Sequence, residues 1–353
     1  MTRGRPPARA GAVGASLILV GALVAGCGDD RSPPPTAPAP LSTATAPPGF
    51  PPGPVAATAP ADNPLTEARA QLGRRLFFDT RLSRTAEIAC ASCHKQQYGF
   101  ADSVTVSPGV EGRLGTRNAP ALVNVAWNQS FFWDGRAATL EQQAGMPIEN
   151  PVEMDLPLAQ AVARLNADDT YVRTFTDAYG APPTAESLRQ ALASFVRTLV
   201  SGGSPYDRHL RGDDSAFGEA QRRGEALFFS EATACFHCHP GGALTNDGFF
   251  NNGTYTDGGD PGRQMLTGRS GDLGKFKVPG LRNIAVSAPY MHDGSLPTLE
   301  AVVEQYAQGG RGHPSTDPQI APLTLTAANK ADLVAFLRAL TDDQFLSDPR
   351  YGR

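Results

Sequence analysis

Apolar residues recur at helical spacing in several long stretches of this chain. One stretch, just before residue 202, contains Leu188, Leu192, Phe195, Val196 and Leu199. A second, near the C-terminus, contains Leu333, Phe336, Leu337 and Leu340. That period places the apolar residues on one face of an α-helix. Gly, Pro and Asn cluster between such stretches, and no convincing run of alternating apolar and polar residues occurs. The pattern predicts a mainly α fold with long loops.

The pattern also repeats within the chain. Residues 72–79 (LGRRLFFD) are matched by residues 223–230 (RGEALFFS). Downstream, segments 122–141 and 281–300 share a Leu-x-Asn step, a Trp or His followed by Asp-Gly, and a Thr-Leu-Glu step. An element that is used twice predicts two related helical domains, which we place at residues 64–215 and 216–353.

The N-terminal residues have a different character. A basic start followed by an apolar run, too short for a convincing membrane span, indicates an export signal over residues 1–26. The run ends in Leu-Val-Ala-Gly before Cys27 and resembles the lipobox of bacterial lipoproteins, although a cleaved signal that ends near a cysteine has the same pattern. Residues 27–63 are rich in Pro, Ala, Thr and Ser and predict a disordered tether. We therefore expect a periplasmic protein anchored by a lipid on Cys27, and Gly28 favours the outer membrane.

Charge excludes some classes of partner. The formal net charge is −4, and no long acidic or basic run occurs. Such a chain has no feature typical of nucleic-acid binding or of attraction to an anionic membrane, so membrane contact is expected only through the lipid. A hydrophobic content of 41% in 353 residues is sufficient for a core in each of two domains.

The five cysteines carry the strongest chemical signal. Apart from Cys27 they form two Cys-x-x-Cys-His motifs, with Cys90, Cys93 and His94 in the first and Cys235, Cys238 and His239 in the second. Two thiols on one helical turn can add to the vinyl groups of a haem, and the adjacent histidine can bind the iron. A redox dithiol or a zinc site built from both Cys-x-x-Cys units is the alternative. A histidine directly after both motifs in an exported chain favours two haem c groups.

From about residue 65 to residue 340 the chain resembles the bacterial di-haem cytochrome c peroxidase and MauG superfamily. Five ordered motifs carry the resemblance: residues 90–94, Phe-Trp-Asp-Gly-Arg at 132–136, Gln143, Pro-Val-Glu-Met at 151–154, and Pro-Tyr-Met-His-Asp-Gly at 289–294. The resemblance implies two cytochrome-c-like helical domains, each binding one covalent haem c. It also implies that the first haem is the site of the reaction with peroxide.

The resemblance assigns roles to residues near the first haem. Glu153 would be the distal acid–base with Gln143 beside it, because a carboxylate above an open iron can move a proton from one peroxide oxygen to the other. A lone glutamate is usually a solvated surface residue, so this role depends on the order of Trp133, Gln143 and Glu153 along the chain. Trp133 resembles the tryptophan that relays electrons between the haems, and a packed core aromatic would look the same in sequence.

A calcium ion between the domains is also implied by the resemblance. Its ligands would be the side chain of Asn118 and the backbone carbonyls of Ser287 and Pro289. Asn118 could equally be a turn residue.

One departure from the family concerns the first haem. Members that need reductive activation carry a loop histidine over this haem, roughly where residues 107–111 here read Ser-Pro-Gly-Val-Glu. No histidine lies between His94 and His209. We therefore expect an open, five-coordinate iron at the first site.

A second departure concerns the other haem. The peroxidases place a distal methionine one helix after the His-Asp-Gly motif, and here that position is Tyr306, on a helix predicted to begin at Thr298 and to end before Gly309. MauG-like members use a tyrosine at this position as an axial ligand, although an inward-facing tyrosine is usually a core residue. Met291, directly before His292, is not well placed to replace it, whereas Met265, in an Asn- and Gly-rich loop, remains a rival ligand.

Three functions follow. The leading interpretation is a peroxidase that reduces hydrogen peroxide with electrons from a small cytochrome or cupredoxin. Tyr306 favours an alternative, a MauG-like oxidase of a partner protein, because a phenolate stabilises higher oxidation states of iron. A third possibility is an electron-transfer cytochrome without substrate chemistry, which would have two six-coordinate haems and no need of Glu153.

Overall fold

The computed structural model describes residues 39–353, together with Met1. Over residues 39–353 the chain is mainly helical with one small sheet, which confirms the predicted fold class. The helices are α1 (Glu67–Phe77), α2 (Cys90–Cys93), α3 (Leu140–Glu149), α4 (Leu158–Asn166), α5 (Asp169–Tyr179), α6 (Ala185–Arg197), α7 (Pro205–Leu210), α8 (Glu219–Phe228), α9 (Cys235–Cys238), α10 (Gln264–Thr267), α11 (Leu299–Ala307), α12 (Ala327–Arg338) and α13 (Asp343–Ser347). Strand β1 (Phe249–Phe250) pairs antiparallel with β2 (Phe276–Lys277).

Threonine caps define the start of the main helices. The hydroxyl oxygens of Thr184, Thr298 and Thr326 each accept a hydrogen bond, 3.0 to 3.1 Å long, from the backbone N–H three residues further on. These contacts satisfy donors that the first helical turn leaves unpaired. Helices α6, α11 and α12 therefore occur where the sequence predicts them.

Two helix pairs of the same design form the body of the molecule. Helix α1 packs on α6 at Gly73, where an added Cβ would lie 1.8 Å from the carbonyl oxygen of Ala191. Helix α8 packs on α12 at Gly224, where a Cβ would lie 1.9 Å from the carbonyl oxygen of Asp332. The repeat in the sequence thus corresponds to two helix crossings that each require a glycine.

The buried side chains form two clusters. The first extends from Leu41 to Leu199 along the chain, and the second extends from Tyr206 to Leu340. After α12 the chain returns to the first cluster, where Phe345 and Tyr351 are buried. The C-terminal residues consequently pack on the N-terminal half, which the sequence does not predict.

Two equivalent asparagines connect the halves. Asn124 and Asn283 both adopt left-handed backbone conformations, with φ of 58° and 60°, which asparagine tolerates better than most residues. The side chain of Asn124 bonds to the backbone of Ser201 after α6, and that of Asn283 bonds to the backbone N–H of Asp342 after α12. Asn283 also donates to the hydroxyl of Ser201 at 2.9 Å, so the two loops meet.

Residues 39–63, which we call the strap, are ordered in the structure. The sequence prediction of a disordered tether up to residue 63 is therefore wrong for this segment. Leu41 and Val55 are 1% and 0% exposed, and Phe50 packs on Trp127 with ring centroids 4.7 Å apart. The strap also reaches the second half, because the carbonyl of Gly49 accepts a hydrogen bond from the second half's backbone. A few well-placed apolar residues are sufficient to order a segment whose average composition is typical of disorder.

The predicted export signal, apart from Met1, and the predicted lipidation site at Cys27 lie outside the described residues. Within residues 39–353, no helix has both the length and the apolar character needed to cross a bilayer.

Candidate active site

One cavity of about 770 Å³ runs through the body and is lined by both Cys-x-x-Cys-His motifs. Helices α2 and α9 supply the paired cysteines, and the histidine that follows each helix lies at its C-terminal end. Four cationic residues line the cavity, namely Arg117, Arg136, Lys277 and Arg282, and Glu153 is the one acidic residue among the described lining residues. A mainly apolar cavity with a cationic balance suits two haems and their propionate groups.

The two motif histidines are oriented alike. Nδ1 of His94 lies 2.7 Å from the carbonyl oxygen of Phe100, and Nδ1 of His239 lies 2.8 Å from that of Leu244. A carbonyl only accepts, so Nδ1 carries the proton and Nε2 keeps a lone pair. Burial lowers the pKa of both imidazoles, that of His239 to about 4, which favours the neutral form that binds iron.

The zinc alternative finds no support in the described part of the chain. Residues 39–353 contain no cluster of three or more His, Cys, Asp or Glu side chains that could hold a metal ion. A structural zinc site needs four such ligands.

A turn after α3 brings the carboxyl group of Glu153 to the cavity. The backbone N–H of Glu153 donates to the carbonyl of Asn150 at 3.0 Å, and the Asn150 amide donates to Oε1 of Glu153 at 2.6 Å. Burial raises the pKa of Glu153, while the Asn150 hydrogen bond and the charge of Arg136 oppose that shift. The result is an oriented carboxyl group that holds its proton more tightly than an ordinary glutamate.

Helix α3 and the loop around Ser107 supply further lining of the first site. Gln143 on α3 and Pro147, one turn further on, both line the cavity. The loop around Ser107 packs closely on Glu153: a Cβ on Gly109 would lie 2.2 Å from the carbonyl oxygen of Val152. Of the described residues that line the cavity, only His94, His239 and His292 are histidines, and the loop at residues 107–111 contains none.

Trp133 stands where the two halves meet. Its indole N–H donates to the carbonyl of Asn118 at 2.9 Å, and its own carbonyl accepts from the N–H of Lys277 at 2.7 Å. Its ring meets the ring of His292 edge-on, with centroids 6.5 Å apart. Trp133 and His292 occupy equivalent places in the repeat, so the two copies of this motif contact each other.

The three residues predicted to bind calcium all line the same cavity. Asn118 is buried, and its amide nitrogen donates to the carbonyls of Val104 and Thr105 at 3.0 and 3.2 Å. Its side-chain oxygen remains available as an acceptor. The N–H of Asn118 donates to the carbonyl of His292, which ties this residue to the loop that contains Ser287 and Pro289.

Tyr306 lies on α11 and lines the cavity with His239. Burial raises the pKa of its phenol to about 12, and the hydrogen bond from Asn252 opposes that shift. Met265, the rival ligand, is 74% exposed on α10 and lies outside the cavity lining. The structure therefore does not bring Met265 to the second site. Met291, in contrast, does line the cavity.

A smaller cavity of about 330 Å³ opens beside Glu153. It shares Arg136, Pro147 and Glu153 with the large cavity, and Met146 contributes to its lining. Met146 is 40% exposed. This opening gives a route from solvent to the Glu153 carboxyl.

Sequence reasoning missed Pro147, Asn150 and Asn252, and it wrongly set Met291 aside as not well placed, since Met291 lines the cavity. Two of them had a usable signal, because extending the repeat from Thr139 and Thr298 pairs Pro147 with Tyr306, and Phe132 with Met291. The contacts of Asn252 join distant parts of the chain and leave no local pattern.

Comparisons with known proteins agree with this geometry. A model of the di-haem cytochrome c peroxidase family matches residues 67–215. The methylamine utilization protein MauG of Methylorubrum extorquens is 42% identical over 285 residues, covering 80% of each chain. The cytochrome c551 peroxidase of Nitrosomonas europaea is 36% identical over 280 residues, covering 78% of this chain and 80% of that protein.

A solved structure supports the same conclusion. A MauG-like protein associated with microbial copper homeostasis superposes with a TM-score of 0.80 at 36% identity, covering 87% of this chain and 97% of that chain. Similarity of this extent in sequence and fold confirms the resemblance, and the chain belongs to the di-haem cytochrome c peroxidase and MauG family.

Proposed function

We propose that this protein is a di-haem peroxidase that reduces hydrogen peroxide to water with electrons from a small periplasmic redox protein, a cytochrome c or a cupredoxin. One observation carries the proposal: the partly buried carboxyl group of Glu153 and the imidazole of His94 line one cavity, beside an opening to solvent. The relatives named cytochrome c peroxidases support it.

Cys90, Cys93 and His94 would hold one haem within residues 64–215, and Cys235, Cys238 and His239 would hold the other within residues 216–353. When bound, the first haem supplies an iron that accepts peroxide, and the second supplies a further redox centre.

Glu153 would move the protons. Reduction of one peroxide molecule consumes two electrons and two protons and yields two water molecules. A carboxyl group with a raised pKa can take the proton of one oxygen and deliver it to the other, and Asn150 fixes its direction. Gln143 would orient the substrate by a hydrogen bond from its amide, as its place in the cavity lining allows.

Trp133 would carry electrons between the two halves. Its ring is packed against His292 and its indole N–H is already paired, so the side chain is held in one position. A Ca²⁺ ion bound by Asn118, Ser287 and Pro289 would fix the loops around it, since the Asn118 oxygen has no other assigned role. Cys27 would carry the lipid that anchors the protein in the periplasm, at the outer membrane.

A second candidate is peroxide-dependent oxidation of a partner protein, as the relatives named MauG suggest. Tyr306 favours it, because its phenol lines the cavity that His239 lines. An oxygen ligand disfavours the reduced iron and would let the second haem share an oxidising equivalent. Such an enzyme would take its electrons from side chains of the partner.

Spectroscopy of the purified oxidised holoprotein, before and after one equivalent of hydrogen peroxide, tests the proposal. We expect two haems per chain, one high-spin and five-coordinate, and a rapid optical change upon addition of peroxide. Two six-coordinate haems that do not react would instead indicate an electron carrier and would refute a catalytic role. Reduced donor cytochrome then separates the two enzymes, since only the peroxidase oxidises it at high turnover.

A further inference from the structure

One side-chain amide contacts two potential iron ligands at the second site. The amide nitrogen of Asn252 lies 3.2 Å from Oη of Tyr306 and 3.2 Å from Sδ of Met291. The phenol oxygen and the sulfur are therefore no more than twice that distance apart. All three residues line the cavity with His239.

The direction of this amide is fixed by its neighbours. The hydroxyl of the buried Thr254 donates to Oδ1 of Asn252 at 2.6 Å, which leaves the NH₂ group to face Tyr306 and Met291. The preceding residue, Asn251, is buried and accepts from the N–H of Gly253 at 2.9 Å. A primary amide has two N–H groups, so it can donate to oxygen and sulfur at the same time.

The backbone turn at Met291 also occurs at the equivalent position of the first half, whereas the sulfur is specific to the second half. Met291 has φ of 74°, and Phe132, its counterpart, has φ of 65°. Both follow a residue in a short antiparallel bridge, Tyr290 with Leu296 and Phe131 with Ala137. The same backbone therefore carries a phenyl ring in the first half and a thioether in the second.

We propose that Met291 is a reserve axial ligand of the second haem and that Asn252 is a positioning residue which holds Tyr306 and Met291 side by side. This inference rests on the proposed haem at His239 and on Tyr306 as its resident ligand. The two ligands differ in softness: the phenol oxygen suits oxidised iron, while the thioether suits reduced iron. Removal of Tyr306, or reduction of the second haem by an external electron donor, shifts the preference towards Met291.

The main test uses full-length holoprotein in three forms: wild type, Tyr306→Phe, and Tyr306→Phe with Met291→Leu. Leucine conserves the volume of methionine, and haem content and far-UV circular dichroism check the fold. We expect Tyr306→Phe to gain the near-infrared charge-transfer band and low-spin EPR signal of a methionine-ligated ferric haem. The double variant is expected to lose both signals.

Two results would overturn the inference. A Tyr306→Phe variant that loses the tyrosine signature without gaining the thioether signals would exclude Met291 and leave tyrosine ligation standing. A Tyr306→Phe variant with unchanged spectra would exclude tyrosine ligation as well. The reaction of the first haem with peroxide, recorded on the same samples, reports separately on the proposed peroxidase function.

The role of Asn252 has its own readout. Asn252→Asp keeps the shape of the side chain and removes both N–H donors, so we expect a shifted tyrosinate-to-iron band in the oxidised protein. Asn166→Asp, an exposed position on α4, is the matched control and should leave the band unchanged. An unshifted band in Asn252→Asp would contradict the positioning role.

Discussion

The two halves share a backbone design and differ on the distal side of their haem sites. Both pack a helix pair at a glycine, both orient the motif histidine through a carbonyl, and both begin the distal helix with a capping threonine. Counted from Thr139 and Thr298, the first half has Pro147 where the second has Tyr306. A proline ring has no atom that can bind iron. On the proposed function, one substitution within a common frame would therefore distinguish an open site from a closed one.

The first half uses the vacated space for a carboxyl group. Pro147 lacks a backbone N–H, so the carbonyl of Gln143 loses its usual helical partner. The chain then turns, and the N–H of Met154 donates back to the carbonyl of Pro147 at 3.2 Å, which brings Glu153 next to the distal helix. In the second half, α11 ends at Ala307 and a Gly-Gly step leads away. On the proposed roles of Glu153 and Tyr306, the comparison teaches that the distal helix can make room for a proton-transfer group or can supply an iron ligand.

The largest effect is expected from Glu153→Gln. The amide keeps the shape of the side chain but cannot exchange a proton with peroxide, so the second-order rate of the peroxide reaction should fall by about 10²–10⁴-fold. Stopped-flow absorbance measures this rate. Glu219→Gln on α8, whose side chain is 94% exposed, is the control and should react like the wild type. An unchanged rate in Glu153→Gln would remove the carboxyl group from the mechanism.

A tyrosine placed in the first half at the position equivalent to Tyr306 should close the proposed open site. In Pro147→Tyr the phenol stands at the position equivalent to Tyr306, and if it occupies the iron 99% of the time, the apparent peroxide rate falls about 100-fold. EPR should show loss of the high-spin signal. A variant that keeps its high-spin signal and full rate would contradict the equivalence of the two positions. Circular dichroism is needed as a control, because Pro147 lies within α3.

Much of this comparison could be predicted from sequence, for identifiable reasons. The haem attachment residues and the Thr298 cap are signalled by short local motifs. The resemblance to the family singles out Tyr306 on the helix that Thr298 begins. The strap was wrongly predicted, because an average over residues 27–63 conceals the individual burial of Leu41 and Val55. The return of Phe345 to the first core and the contact between Asn252 and Met291 depend on distant parts of the chain, for which sequence periodicity has no signal.

The equivalence of the two helix crossings can be tested by replacing the glycine at each crossing with alanine. In Gly73→Ala or Gly224→Ala the new methyl group would overlap a backbone carbonyl of the partner helix, at 1.8 or 1.9 Å, and the helices must separate. We expect each change to lower the free energy of unfolding by about 1–3 kcal/mol, measured by urea denaturation of the holoprotein. Gly271→Ala, which has open space around it, is the control. If the two variants lost clearly different amounts of unfolding free energy, the two helix crossings would not be equivalent despite their similar backbones.

We also expect a pH dependence of stability from the partly buried carboxyl group of Glu153. Burial raises the pKa of Glu153 above its value in the unfolded chain, so the folded protein binds the proton more tightly. The wild type should therefore lose stability relative to Glu153→Gln as the pH rises from the ordinary glutamate range through the raised pKa. The difference between their unfolding free energies, followed with pH, measures this effect. A constant difference would mean that Glu153 is not desolvated.

The smallest effect concerns access, in which the halves also differ. Met146 is 40% exposed at the opening beside Glu153, whereas Gln305, its counterpart on α11, is 6% exposed. The opening thus lies beside the site proposed to react with peroxide, and the equivalent position is covered beside Tyr306. Met146→Trp should narrow the opening and slow the peroxide reaction a few-fold without changing the EPR spectrum, while Met265→Trp on exposed α10 should change neither. An equal rate in both variants would indicate that peroxide enters by another path, because a tryptophan in this opening leaves little room for the substrate.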